Sequence, residues 1–147
     1  MTIIAGTLVE NDGKYLLMQE AREDIRGLWN LPAGHVETNE LVQDAAVRET
    51  LEETGYSVEL TGVCQIVDCK VEDDAFVVIV FTAKLKNEPV REVDPAEIMD
   101  VKWLSYDEIL AKEKEIRNKT LLFGALENAR SGIVAPMELI DIYGNND

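Results

Sequence analysis

An α/β domain is what this chain of 147 residues encodes, and three observations say so. Strand-like runs rich in β-branched and aromatic residues occupy both halves of the sequence. One long helix with a partly apolar face lies between them. Hydrophobic residues make up 46% and charged residues only 29%, enough to bury a core and too apolar for wholesale disorder. The length is that of one domain, residues 1–147, with no internal repeat or linker.

Residues 2–9 and 14–19 are two apolar runs separated by Glu10-Asn11-Asp12-Gly13, and Asp-Gly signals a β-hairpin between them. Glu20 to Leu28 is polar, carries Arg22 and Arg26, and reads as a loop. Pro32, Ala33 and Gly34 continue it as a turn-rich approach to a helix over about 39–54. Thr38 or Asn39 is expected to cap that helix, with Glu40 in its first turn and Gly55 ending it as the left-handed residue. Runs near 57–70 and 76–85, the second reading Phe76-Val77-Val78-Ile79-Val80-Phe81-Thr82, are expected to pair as strands. A Glu- and Pro-rich loop (87–97) leads to a short strand ending at Val101-Lys102-Trp103-Leu104. Ser105 then caps a helix through about Leu110, Leu121–Ala129 forms another, and the tail Gly144–Asp147 is expected to fray.

The central helix carries an electrostatic anomaly. Glu49, Glu52 and Glu53 fall within one arc at about 100° per residue, where like charges three or four apart repel, and the last turn disfavours anions further. Leu41, Val42, Ala45 and Ala46 mark the same arc in the first half of the helix, so all three carboxylates are expected to face inward, lining a cleft. Such a cluster wants a cation. Arg48 is placed to hold Glu52, four residues on, while the others stay free for a metal.

The net charge of −15 argues against nonspecific binding to nucleic-acid polymers or membrane surfaces, both of which need basic patches. It allows an anionic small molecule bridged by metal ions and local Arg. Cys64 and Cys69 lack the neighbours of a zinc site and read as buried free thiols. The N-terminus lacks a basic leader and no apolar run approaches a membrane span, so a cytoplasmic location is the expectation.

Gly34, five residues, Glu40, seven residues, Arg48-Glu49, two residues, Glu52-Glu53, one residue and Gly55 resembles the Nudix box, the signature of MutT-like hydrolases that split nucleoside diphosphates linked to another moiety. The box spans 34–56, with Thr50 and Tyr56 at positions that are more often aliphatic. Those two read as residues a partly buried packing position can accept. Ala33-Gly34 stands where Gly-Gly is more frequent. The resemblance implies an α/β/α sandwich with a mixed sheet and hydrolysis of a pyrophosphate bond by water. It also implies Mg²⁺ (or Mn²⁺) held by the Gly34 carbonyl, Glu49, Glu52 and Glu53, with Arg48 orienting the helix carboxylates and Glu40 anchoring the loop to the helix.

One of the box glutamates, or Glu97 from a loop outside the box, would take the proton from water, with Glu37 a second choice. Arg22 and Arg26 are candidates for clamping substrate phosphates. His35 reads as a loop hydrogen-bonder rather than a base, and Trp29, Phe76 and Phe81 as core rather than base-stacking residues. The implied partner is a small phosphorylated molecule, nucleotide-like, and a homodimer is compatible with the family. A nucleotide-binding domain of the same fold without turnover is the alternative, disfavoured by the intact acidic set. The box sets the reaction type and residues outside it choose the substrate.

Overall fold

The computed structural model describes residues 1–144, so most of the tail expected to fray lies outside the described residues. The chain runs β1 (Thr2–Asn11), β2 (Lys14–Glu20), β3 (Trp29–Asn30), β4 (Ala33–His35), α1 (Val42–Thr54), β5 (Val58–Val71), β6 (Asp74–Leu85), β7 (Ile98–Ser105), α2 (Tyr106–Ala111) and α3 (Lys119–Arg130). The predicted hairpins form. Asp12 and Gly13 both take positive φ (51° and 78°), the pairing that suits a two-residue turn between right-twisted strands. Ser105 caps α2 in a reciprocal box with Glu108.

The sheet has seven strands, ordered β3-β2-β1-β6-β5, with β4 paired to β1 and β7 to β2. It is mixed because β1 and β6 run parallel from Thr2↔Phe76 to Val9↔Ala83, while the remaining pairs are antiparallel. β1 pairs with β2 only at Glu10↔Tyr15 and Asn11↔Lys14, and the two strands then part. That divergence opens the sheet. The stretch read as loop before the helix contributes β3 and β4, strands too short to show a period in sequence.

Side-chain alternation on β6 sorts the layers. Val78 and Val80 pack with Leu8, Leu121, Leu122, Ala125 and Leu126 under α3. Phe81 packs with Ala5, Val63, Ala45 and Ala46 under α1. Helices therefore cover both faces, giving the α/β/α sandwich, and a strand buried on both sides reads as the unbroken apolar run seen in sequence.

Helix α1 starts later than predicted. Asn39 sits at φ 62° and Leu41 is the N-terminal boundary residue without a side-chain cap, so neither Thr38 nor Asn39 caps the helix. Glu40 lies before the first turn because its carboxylate is occupied elsewhere, by the Glu37 N–H (3.0 Å) and by Arg48. Leu41 is 42% exposed, outside the apolar arc. Gly55 ends the helix at φ 82° as expected, and a Cβ there would strike the Arg91 carbonyl.

Thr50 is fully buried rather than partly so, whereas Tyr56 is half-buried. The Thr50 hydroxyl donates to the Ala46 carbonyl (2.7 Å), so Thr7 must be the donor in the 2.6 Å bond between the two hydroxyls. Thr50→Val leaves the Thr7 hydroxyl without an acceptor and is expected to cost about 1–3 kcal/mol, while Thr7→Val with Thr50→Val is expected to be close to neutral. Urea unfolding of the three variants checks this. A double variant as unstable as the single one would contradict it.

Candidate active site

A cavity of about 480 Å³ opens where β1 leaves β2, and Gly34, Glu49, Glu53, Glu97 and Arg22 are among its lining residues. Five residues from four separate segments of the chain therefore meet at one place. Each is positioned by backbone bonding. Gly34 pairs with Ala5 across β4 and β1. The 94–98 turn, in which Glu97 and Ile98 donate to the Asp94 carbonyl, is tied to β2 by the bond from the Ala21 N–H to the Glu97 carbonyl (2.8 Å).

Glu53 points inward and accepts the Ala33 N–H at 2.8 Å. Burial first, then the charges of Glu49, Glu20 and Glu97, push its carboxyl well above the usual range, and the Ala33 bond only partly offsets them. Glu49 is raised as well, chiefly by burial, against the pull of Arg48. Gly34 is packed so close to Glu49 that a Cβ at this position would run into its carboxylate.

Arg48 binds more partners than the sequence suggested. Nε and Nη2 donate to the two Glu40 oxygens at 2.7 and 2.9 Å, Nη1 to Glu49 at 2.9 Å and to Glu52 at 3.2 Å, and Nη2 also to the His35 carbonyl at 3.0 Å. Its bond to Glu40 holds that carboxyl down to about 2. Glu40 thus ties the Glu37 backbone to Arg48 on the helix. Glu49 is not left free, and Glu52, with 43% of its side chain exposed, lies outside the cavity. The inward arc holds for Glu49 and Glu53 and fails for Glu52, which Arg48 draws toward solvent. With Arg48 pulling on two carboxylates and Ala33 on the third, no three Asp, Glu, His or Cys side chains among the described residues converge as they would around a metal ion.

Other candidates separate cleanly. Arg26 does not line the cavity, since its guanidinium donates to the Ala21 carbonyl of its own loop (3.0 Å). Glu37 is solvent-exposed and 3.7 Å from Arg48. His35 is exposed and lines the cavity, though its carbonyl is what bonds to Arg48. Trp29 and Phe81 are core, whereas Phe76 is half-buried on the cavity wall. Cys64 is buried and free, its thiol pushed up to about 11 by burial, and Cys69 is only half-buried.

Glu20, Asn30, Arg117 and Asn118 also line the cavity and were missed in sequence. Glu20 carried a signal: it continues the period-2 face of Leu16 and Met18 and is just 4% exposed. Arg117 carried none, being one residue before a helix cap.

The chain matches the NUDIX domain family over residues 2–123. It is similar to phosphatase NudJ of Shigella boydii, 30% identical over 139 residues that cover 94% of this chain and 89% of that protein. A longer Caenorhabditis elegans relative is 28% identical over 123 residues, and the chain spans only a third of its length (33%). A solved structure of a NUDIX hydrolase from Nitrosomonas europaea aligns with TM-score 0.88 and 29% identity, covering 97% of both chains. No helix among the described residues is long and apolar enough to cross a membrane, which says nothing of a β-barrel.

Proposed function

Since the chain belongs to the Nudix hydrolase family, we propose that it hydrolyses a phosphoanhydride bond in a nucleoside diphosphate-linked or nucleoside triphosphate-type molecule, with Mg²⁺ or Mn²⁺ as cofactor. The observation that carries this reading is Glu53. Its carboxylate is largely buried, faces Glu49, Glu20 and Glu97, and among the described residues has one backbone N–H as its only hydrogen-bond donor. An anion so placed calls for a cation, and an all-oxygen donor set suits a hard divalent one.

In this reading the Gly34 carbonyl, Glu49 and Glu53 hold the metal, and Glu52 joins them on giving up its 3.2 Å bond to Arg48. The cation supplies neutralisation of the phosphate charge and a lower pKa for the attacking water. Glu97, whose carboxylate makes no hydrogen bond or ion pair among the described residues, takes the proton from that water. Arg22 binds a phosphate oxygen, and Arg26 serves the loop instead. Residues 1–147 act as one domain, and its medium is the cytoplasm.

The test is a panel of nucleoside triphosphates, dinucleotide polyphosphates, nucleotide sugars and ADP-ribose with Mg²⁺ or Mn²⁺, products identified by mass. Turnover should require the divalent cation and vanish in EDTA. Binding of nucleotides without product across the whole panel would mean a sensing domain instead. Gly34→Ala separates the site from the fold. Because the added Cβ meets the movable end of Glu49 rather than backbone, stability should change by about 1 kcal/mol or less. Mg²⁺ affinity should fall about tenfold or more as Glu49 is displaced, read from a Mg²⁺ titration of thermal unfolding.

A further inference from the structure

One side of the cavity is made of hydrogen-bond donors that the metal chemistry does not use. Glu20, 4% exposed at the end of β2, accepts Arg117 Nη1 at 2.6 Å on the same oxygen that stands 3.7 Å from Arg22 Nη2. A buried carboxylate needs one arginine for neutrality, and this one has two. The trio therefore keeps a surplus positive charge at a cavity otherwise ringed by Glu49, Glu53 and Glu97.

Arg117 is fixed at both ends. Its backbone N–H donates to the Trp29 carbonyl (2.9 Å), and the next residue, Asn118, caps α3 by accepting the Leu121 N–H. It gives Glu20 only one of its donors, so Nε and Nη2 stay available, with 41% of the side chain exposed. Asn30 and Asn118 each use their side-chain oxygen for a neighbouring N–H, which leaves both amide NH₂ groups as donors at the cavity. Phe76 and Leu121 supply apolar wall beside them.

We propose that Arg117 is a specificity-determining residue that binds a phosphate of the substrate through its spare donors, while buried Glu20 is the positioning residue that holds the guanidinium at the cavity. The substrate class this selects is an organic diphosphate whose anionic part spans from the carboxylates to Arg117, with its organic group against Phe76 and Leu121. The Arg117–Glu20 bond persists on binding, because the donors offered to the phosphate are not those given to Glu20. This inference rests on the pyrophosphate reading for its substrate class.

Calorimetric titration of methylenediphosphonate, which cannot be hydrolysed, into the full chain with Mg²⁺ tests it. Arg117→Gln should weaken binding about tenfold or more, Arg117→Lys should restore part of that loss, and Glu20→Gln should weaken binding a few-fold by loosening the arginine. The thermal shift produced by Mg²⁺ alone should be the same in both Arg117 variants as in the wild type. With a hydrolysed substrate, Arg117→Gln should raise KM and leave kcat within about threefold. A folded Arg117→Gln that binds methylenediphosphonate as tightly as wild type overturns the proposal, as does a wild type that does not bind it. Should Arg117→Gln fail to fold, wild-type affinity in both Arg117→Lys and Glu20→Gln overturns it equally. If the wild type binds the diphosphonate in this Arg117-dependent way yet turns over no phosphoanhydride, the hydrolase reading fails and this one stands.

Discussion

Replacing Glu53 by Gln is expected to make the metal-free protein more stable while abolishing Mg²⁺-dependent turnover. Both effects come from one carboxylate. In the absence of a cation, Glu53 is buried beside Glu49 and within the field of Glu20 and Glu97, so its ionised form is strained and its carboxyl is held above the ordinary 4.5. The amide oxygen of Gln can still accept the Ala33 N–H at the same place. Removing the charge should therefore stabilise the protein in EDTA by about 1–3 kcal/mol, on the order of 5 °C in the unfolding midpoint. The same change removes a proposed ligand, so turnover should fall about 10³-fold or more and the Mg²⁺-induced thermal shift should disappear.

The pH dependence has a definite sign. A carboxyl raised on folding binds more protons in the native state, so its penalty is full above the folded pKa and fades as pH drops toward 4.5. The stability advantage of Glu53→Gln should accordingly be largest at neutral pH and shrink on acidification. An advantage independent of pH, or a destabilised variant, would show that Glu53 carries no such strain. Stability yielded to function at a reacting centre is a common pattern.

The features legible in sequence were those with a period or a fixed spacing. β5, β6 and α3 announce themselves through runs of β-branched residues or helical repeats. The Gly34 to Gly55 spacing identifies the family, because a constellation on one helix and the strand before it is local in the chain. Glu52 shares the inward arc on the helical wheel, yet the Arg48 bond that the i,i+4 spacing predicts turns its carboxylate away from the cavity, because a wheel fixes a direction from the axis and not where the tip of a side chain ends. β3 and β4 escaped because strands of two and three residues exist only through their partners. The Arg117–Glu20 bond joins residues 97 positions apart, and no spacing rule reaches across that distance.

Arg48→Met is expected to destabilise the fold more than the loss of any one of its carboxylate partners. The arginine bonds both oxygens of Glu40 and one oxygen each of Glu49 and Glu52, and its side chain is 24% exposed. Removing it leaves carboxylates at partly buried positions without a cation, which costs about 2–4 kcal/mol once solvent screening is allowed for, on the order of 10 °C. Lysine should recover less than half of this, because its point charge cannot bridge the two Glu40 oxygens as the planar fork does.

Here the sign is opposite to that at Glu53. Glu40 stands at about 2 in the folded protein against an ordinary 4.5, so its contribution is fully present above about 4.5 and is lost as pH falls from there through about 2. The gap in unfolding midpoint between wild type and Arg48→Met should narrow as pH falls, first as Glu49, whose carboxyl rises further without the arginine, takes up a proton, and then through the Glu40 range below about 4.5. A gap that persists unchanged at pH 3 would mean that arginine packing, not its carboxylate partners, holds this end of the helix. Since Glu49 loses its 2.9 Å tether in the same variant, kcat should fall even where the protein is fully folded, which separates the orienting role of Arg48 from its structural one.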